Sequence, residues 1–332
     1  MEKIISIVIP TYNMENYLER CLSSVVIDKR TDRVEAIVVN DGSQDNSLSI
    51  AMKFAEEHPD VFRIIDKPNN NYGSCINAAL NMATGKYIKV LDADDCFDNA
   101  CFCELVDLLE KTDVDLVLND KMEVRPDCET LNALKYTQTG CFDFFEESDI
   151  KLFDSIMMHN VIYRKSIFDK IDYKQSEGIF YTDNEWISSP MASVKTAFHF
   201  SKPLYRYTLG REGQSVDENV VISHINDEIS MSTKLISDHY YTKYPSDKAR
   251  ELMMTKLYYH MRWVYKLIIV ENKHLDSRIL LNLDAAIKHY NPHLYQQLNN
   301  EKLKVFMFHI RYIKLWRMNR NSKFFKFIMN TK

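Results

Sequence analysis

Residues 87–95 read Tyr87-Ile88-Lys89-Val90-Leu91-Asp92-Ala93-Asp94-Asp95. A short apolar strand signal runs straight into three carboxylates within four positions. Like charges that close raise one another's pKa unless something positive lies between them. A divalent cation is one remedy, because hard cations such as Mg2+ take oxygen ligands and share them with substrate phosphates. A solvated acidic turn that caps the next helix is the other reading, since Asp is common in turns. The segment alone does not choose between them, and the flanking sequence has to.

Upstream, residues 4–9 form an apolar run ended by Pro10, the pattern of a buried strand. Leu18, Cys21, Leu22, Val25 and Val26 follow at helical spacing. Residues 34–39 and 62–65 read as two further strands. Leu48, Ala51, Met52 and Ala55 mark a helix between those strands, and Tyr72, Ile76, Ala79, Leu80 and Ala83 mark one after the second. Downstream of the acidic segment, Phe102, Leu105, Val106 and Leu109 predict a fourth helix, and residues 114–118 a fifth strand. Strands alternating with helices over about 120 residues predict a doubly wound α/β sheet. Ligands of such sheets bind outside the carboxyl ends of the strands. Three polar motifs fall there: Pro10-Thr11-Tyr12-Asn13, Asn40-Asp41-Gly42-Ser43 and Asp92-Ala93-Asp94-Asp95.

From 120 to 215 the pattern is mixed. Ser148 is the expected cap of a helix through Ile150, Phe153 and Met157; 183–191 reads as a helix, and 196–200 and 204–207 as strands. After 218 the chain turns helical, so the expected boundary lies near 215, between units 1–215 and 216–332. With 332 residues, 45% of them hydrophobic, the chain can bury a sizeable core in one large domain or two. The net charge of −5 argues against nucleic acid as a partner of the whole molecule. The seven cysteines form no C-x-x-C pair and read as reduced thiols of a cytoplasmic protein. The N-terminus runs into a strand without a signal-peptide pattern, and no stretch of 18 apolar residues predicts a membrane span.

Together these motifs resemble the inverting glycosyltransferases of family 2, which have the GT-A fold. Residues 6–13, Ser-Ile-Val-Ile-Pro-Thr-Tyr-Asn, resemble that family's opening strand and loop. Residues 38–45, Val-Val-Asn-Asp-Gly-Ser-Gln-Asp, resemble its V-x-D-G-S-x-D signature, and 85–95 its metal-binding D-x-D segment. Tyr181-Thr182-Asp183-Asn184-Glu185-Trp186 resembles its E-D segment, and Pro203-Leu204-Tyr205-Arg206-Tyr207 its closing strand. The likeness covers about residues 1–215. It implies a Rossmann-like, mixed but mostly parallel sheet flanked by helices, followed here by a C-terminal helical region.

The resemblance also implies roles. Asp41 binds the base of a nucleoside diphosphate, and Pro10 and Tyr12 line the uridine pocket; the bland alternative for Asp41 is an Asx turn. Asp92 approaches the ribose or the metal shell. Asp94 is the main ligand of Mn2+ or Mg2+, with Asp95 the close alternative. Asp183 is the general base, with Glu185 the runner-up because Thr182 stands where the family has Glu; either acid is otherwise a helix N-terminal residue favoured by the dipole. Asn71 is carried as a nucleotide contact, although Asn71-Tyr72-Gly73 is followed by Ser74-Cys75-Ile76-Asn77 and lacks the family's arginine. The segment Gly210-Arg211-Glu212-Gly213-Gln214-Ser215 reads as a loop over the diphosphate, reached by Arg211 or Gln214, or as an ordinary surface loop. His159 faces the acceptor or is structural.

The implied activity is transfer of a hexosyl or N-acetylhexosaminyl group from a UDP-sugar to a hydroxyl of a glycan or lipid-linked glycan, in bacterial surface polysaccharide biosynthesis. A noncatalytic nucleotide-sugar or glycan scaffold of the same fold is the competing class. A nucleotidyltransferase would need a Gly-rich phosphate loop that 10–13 does not supply. Residues 302–332 hold nine basic residues, no acid and interleaved aromatics. With Phe306, Ile310 and Ile313 on one helical face, the segment suits peripheral docking on an anionic membrane, here the inner face of the cell membrane. A helix packed on the protein with a solvated basic face is the alternative, and homo-oligomerisation is left open.

Overall fold

The computed structural model describes residues 2–27, 30–138, 140–211, 214, 218–271, 275–305 and 308–319. The chain divides into two compact units, Met1–Ile222 and Ser223–Lys332. In the first, strands β1 (Ile5–Thr11), β2 (Val34–Asp41), β3 (Phe62–Lys67) and β4 (Tyr87–Val90) alternate with helices α1 (Leu18–Ser23), α2 (Ser47–Glu57) and α3 (Asn71–Met82). Every residue of β1, β2 and β4 is buried. That is the state of parallel strands covered on both faces, and it explains their continuous apolar runs.

The unit continues through β5 (Cys96–Phe97), α4 (Asn99–Lys111), β6 (Leu116–Val124), β7 (Glu129–Asn132), β8 (Cys141–Asp143), α5 (Ile150–Ser155), β9 (Val161–Arg164), α6 (Lys165–Lys170), α7 (Asp183–Met191) and β10 (Thr196–Thr208). One sheet has the order β3-β2-β1-β4-β9-β6-β10-β5, with β7 on β6 and β8 on β10. β1 pairs in parallel with β2 and β4, and β2 with β3. β9 is antiparallel to both β4 and β6, and β10 is parallel to β6. So β1 to β4, β6 and β10 run one way, and their carboxyl ends share one edge of the sheet. Because β9 runs the other way, its amino end, preceded by His159 and Asn160, lies on that same edge. The fold is the mixed, mostly parallel α/β sheet expected, followed by a helical region.

Some elements differ from the sequence reading. The two strands expected at 196–200 and 204–207 are one strand, β10, whose register shifts between Phe200 and Pro203 and again before Tyr205. Pro203 offers no N–H to the ladder, and a bulge accommodates it. Helix α5 is capped by Asp149, whose side chain accepts the Leu152 N–H, and not by Ser148. The Ser148 hydroxyl instead donates to the Phe144 carbonyl.

The second unit is built on α9 (Ile225–Tyr241), α10 (Asp247–Lys266), α11 (Leu281–Tyr290), α12 (Pro292–Asn299) and α13 (Tyr312–Asn319), after the short α8 (Glu218–Ser223) at the boundary. Before α13, strands β11 (Leu303–Val305) and β12 (Phe308–Ile310) form an antiparallel hairpin. This corrects the helical face drawn through Phe306, Ile310 and Ile313: Ile310 is in the hairpin and Ile313 in the helix. On α13, Tyr312, Ile313 and Trp316 are buried. Arg317 is not on a solvated face either; its guanidinium lies 2.7 Å from the buried Asp284, which also accepts the Tyr265 hydroxyl at 2.6 Å. The expectations for Phe306 and for 320–332 lie outside the described residues. Among the described residues no helix is long and apolar enough to cross a membrane.

Candidate active site

The carboxyl end of β2 delivers Asp41, which is buried. One of its oxygens accepts the Asn70 N–H at 3.0 Å and the ammonium of Lys67. Gly42 follows with φ +74°, and a Cβ there would stand 2.9 Å from the Asn69 nitrogen, so the close approach of the two loops requires glycine. At the end of β1, Pro10 is buried within the strand, whereas Tyr12 is exposed. Asn13, Asn71 and Tyr181 all have left-handed φ, at 53°, 62° and 62°. Such backbone is uncommon outside glycine and recurs where loops are shaped for a ligand.

The segment after β4 spreads its three aspartates among different partners. Asp92 accepts the Tyr72 hydroxyl at 2.8 Å, and its own N–H donates to Tyr205 Oη at 3.1 Å. Asp94 accepts both Nε and Nη2 of Arg211, at 3.1 and 2.9 Å. Arg20 ties the Asp94 carbonyl to the Thr208 hydroxyl. Asp95 is buried and accepts the Tyr205 hydroxyl at 2.8 Å and the Thr208 N–H at 2.7 Å. Burial pushes the Asp95 carboxyl well above the usual carboxylate range, and the charges of Asp92 and Asp94 push it further. The part of this shift that comes from Asp92 and Asp94 is one that a divalent cation would offset.

His159, on the turn before β9, is also buried. Lys89 Nζ, itself buried in β4, donates to the His159 carbonyl at 2.6 Å and to Asn119 Oδ1 at 3.0 Å. The imidazole lies 4.8 Å from the Tyr205 ring and 4.3 Å from the Tyr207 ring. Burial holds its pKa below the ordinary value, although Asp92 opposes this. Its Nε2 stands 3.7 Å from Asp92 Oδ2. Among the described residues, one ligand atom each of Asp92, Asp95 and His159 falls within 4.8 Å of the others. Asp94 is not in that group.

Asp183 opens α7 and is partly exposed. It lies near enough to Tyr72 and Tyr207 for its charge to help raise both phenols, behind the larger effect of burial and alongside Asp92. Asp183 therefore shares the neighbourhood of the acidic segment. Glu185 does not reach it. Its side chain is fully buried and accepts the Ser176 N–H at 3.0 Å, anchoring the loop before α7. Thr182 has a similar anchoring part, its hydroxyl and carbonyl both accepting Gln175 Nε2 at 2.8 Å. The same loop explains Gly73, where a Cβ would stand 1.8 Å from the Ser176 carbonyl oxygen.

Gln214 is likewise spent on the protein itself. Its Oε1 accepts the N–H groups of Gly210 and Arg211, and its Nε2 donates to the Thr208 carbonyl at 2.7 Å. It staples the backbone that carries Arg211. Tyr72 was missed as a site residue; the sequence shows it only as an apolar-face position of a helix. An open depression of about 580 Å3 lies beside α3, lined by Lys67, Asn70, Ser74, Asn77 and Glu177 among others. It adjoins Asp41 through Lys67 and Asn70, and residues 92–95 are not among its lining.

The sequence profile of glycosyl transferase family 2 matches residues 6–172, half of the chain. A relative, the uncharacterized glycosyltransferase YibD of Escherichia coli (strain K12), is 28% identical over 212 residues, which cover 62% of this chain and 61% of that one. The chain thus spans less than two thirds of that relative's length. Among solved structures, residues 1–349 of S. aureus TarS in complex with UDP-GlcNAc superpose with a TM-score of 0.73 at 15% identity, covering 99% of this chain and 91% of that one. The mannosyltransferase PcManGT from Pyrobaculum calidifontis, in complex with GDP-Man and Mn2+, gives a TM-score of 0.57 at 18% identity over 90% and 83%. These likenesses show the fold.

Proposed function

The chain belongs to glycosyl transferase family 2, and we propose that it is a cation-dependent inverting transferase moving a sugar from a UDP-sugar to a hydroxyl of a glycan or lipid-linked glycan, as in bacterial surface polysaccharide assembly. The observation that carries this reading is convergence. Asp41, the 92–95 carboxylates, Arg211 and Asp183 come from distant parts of the chain to one edge of the sheet. TarS binds UDP-GlcNAc and PcManGT binds GDP-Man with Mn2+, which supports a nucleotide-sugar donor and a cation here.

In this reading Asp41 and Tyr12 hold the base, and the carboxylates after β4 hold the cation. A divalent ion there would stabilise the charge that builds on the leaving diphosphate. Arg211, already beside Asp94, adds a second positive charge for that leaving group. Asp183 takes the proton from the acceptor hydroxyl. The acceptor oxygen then bonds to the anomeric carbon from the face opposite the phosphate, and the carbon–oxygen bond to the diphosphate breaks with its electron pair going to UDP. The anomeric configuration inverts. The helical unit is assigned to partner or membrane contact.

The test is Asp183→Asn. This variant keeps UDP binding in Mn2+ and loses transfer by about 10²–10⁴-fold, read against a panel of UDP-, GDP- and dTDP-sugars. Loss of UDP binding together with transfer would assign Asp183 to folding or donor binding and sink its role as base.

A further inference from the structure

Two lysines are buried in the strands that carry the site, Lys89 in β4 and Lys121 in β6. A buried ammonium has three N–H donors to satisfy. Lys89 meets three oxygens, Asn119 Oδ1 at 3.0 Å and the carbonyls of His159 and Val161 at 2.6 and 3.3 Å. Lys121 is supplied differently. Its side chain is only 5% exposed, yet among the described residues its hydrogen-bond acceptor is the Met157 thioether, at 3.3 Å. A thioether is a weak acceptor. The nearest carboxylate oxygen, Glu123 Oε1, stands 3.4 Å away and already accepts the Asn132 amide at 2.9 Å. A charge-assisted hydrogen bond is shorter, about 2.7–2.9 Å. Lys121 is thus a buried positive charge short of oxygen partners, and a buried charge is costly unless it is well paired.

The ammonium also belongs to the site's neighbourhood. It lies over the Tyr207 ring, 5.1 Å from its centre. Burial, and then the charges of Asp95, Asp92, Asp94 and Asp183, push the Tyr207 phenol up. One ring therefore has Lys121 over its face and the acids, the proposed base included, within range of its hydroxyl. Met157 is 42% exposed and turns about several single bonds, so a ligand oxygen can replace its sulfur without disturbing the strands. The missing partner is an anion of low charge. The aspartates already gather negative charge at this edge, and a second charge on the ligand would add to the repulsion. A carboxylate brings two oxygens for a single charge.

We propose that Lys121 determines specificity by binding the carboxylate of a hexuronic acid, carried either by the sugar of the donor or by the terminal sugar of the acceptor. This rests on the transferase reading above and deepens it by naming the substrate class, an acidic sugar on one side of the bond that forms.

The experiment is calorimetric titration of the full chain in Mn2+, in two arms. The first compares UDP-glucuronate with UDP-glucose and UDP-galacturonate with UDP-galactose. The second, on the UDP-loaded chain, compares oligosaccharides ending in glucuronate or galacturonate with their glucose- or galactose-ended counterparts. One arm shows the acid bound about 10–100-fold more tightly, and that arm identifies which substrate carries it. Lys121→Met removes the preference and leaves binding of UDP and of the neutral sugars unchanged. Lys121→Arg keeps part of the preference, and Glu123→Gln, which removes the competing carboxylate, retains it. Absence of any preference in both arms of the wild type, with UDP bound, overturns the proposal and leaves the transferase reading standing. A preference that survives in Lys121→Met overturns the assignment of the residue. No UDP binding in Mn2+ overturns both readings. The wild-type comparison decides the point even if Lys121→Met does not fold.

Discussion

Asp183 and Glu185 show how a two-residue separation sorts a partly exposed acid, the proposed base, from a buried brace. On a helix, neighbours at i and i+2 do not face the same way. Asp183 stays partly exposed near Tyr72 and Tyr207, while Glu185 is buried against the Ser176 N–H. Opposite phenotypes follow. Glu185→Gln is expected to lower stability by about 1–3 kcal/mol while leaving transfer per folded molecule within a few-fold, checked by denaturant melts alongside initial rates. Gly73→Ala forces the 1.8 Å approach to the Ser176 carbonyl apart. It should cost about 1–3 kcal/mol and weaken UDP binding, because the displaced loop leads to α7. The sequence carried both acids as candidates although helical geometry alone would have separated them. It carried no sign of Tyr72 at the site, because a hydroxyl on an otherwise apolar helix face shows its partner only once β4 is in place. Gln214 is ambiguous in the sequence for a different reason: an amide in a glycine-flanked loop serves its own backbone as readily as a ligand, and here it bonds to the Gly210, Arg211 and Thr208 backbone.

At the scale of elements, strand-to-helix alternation was legible wherever burial is two-sided, as in β1, β2 and β4, since continuous apolar runs need no knowledge of partners. The short strands β5, β7 and β8 have two to four residues and exist because β6 and β10 offer edges to pair with. No local period announces them. The hairpin β11–β12 was hidden by a chance helical spacing of apolar residues. The segment 208–214 yields a prediction of its own. Gln214→Ala removes the staple behind Arg211 and should raise the donor KM by about tenfold, the equivalent of about one hydrogen bond, with a smaller change in kcat. In α9, burial holds His239 down at about 4. Between that value and its ordinary 6.5 the unfolded chain binds more protons than the folded one, so stability present above pH 6.5 declines as pH falls toward 4. The loss amounts to about 3 kcal/mol at most. Hydrogen exchange across Ile225–Tyr241 should quicken over that range, and His239→Gln should flatten the dependence.

For the molecule as a whole, the site exists because of strand direction. Six strands pointing one way bring residues more than a hundred positions apart to a common edge, and the reversed β9 adds His159 to it. The sequence could place Asp41 and Asp92 there from the α/β pattern alone. It carried His159 as an acceptor-facing or structural residue and could not set it beside Asp92, because the direction of β9 depends on its neighbours. The net charge of −5 gives the molecule no general attraction for an anionic donor, so the proposed recognition would have to rest on local positive charge, such as Arg211 beside Asp94 and Lys67 beside Asp41. The most direct measurement is calorimetric titration of UDP into the full chain, with Mn2+ and again with the metal chelated. The account predicts saturable one-site binding in Mn2+ that weakens by about tenfold or more, roughly 1.4 kcal/mol, when the ion is removed. Equal UDP affinity in both conditions, or no binding in Mn2+, would contradict it.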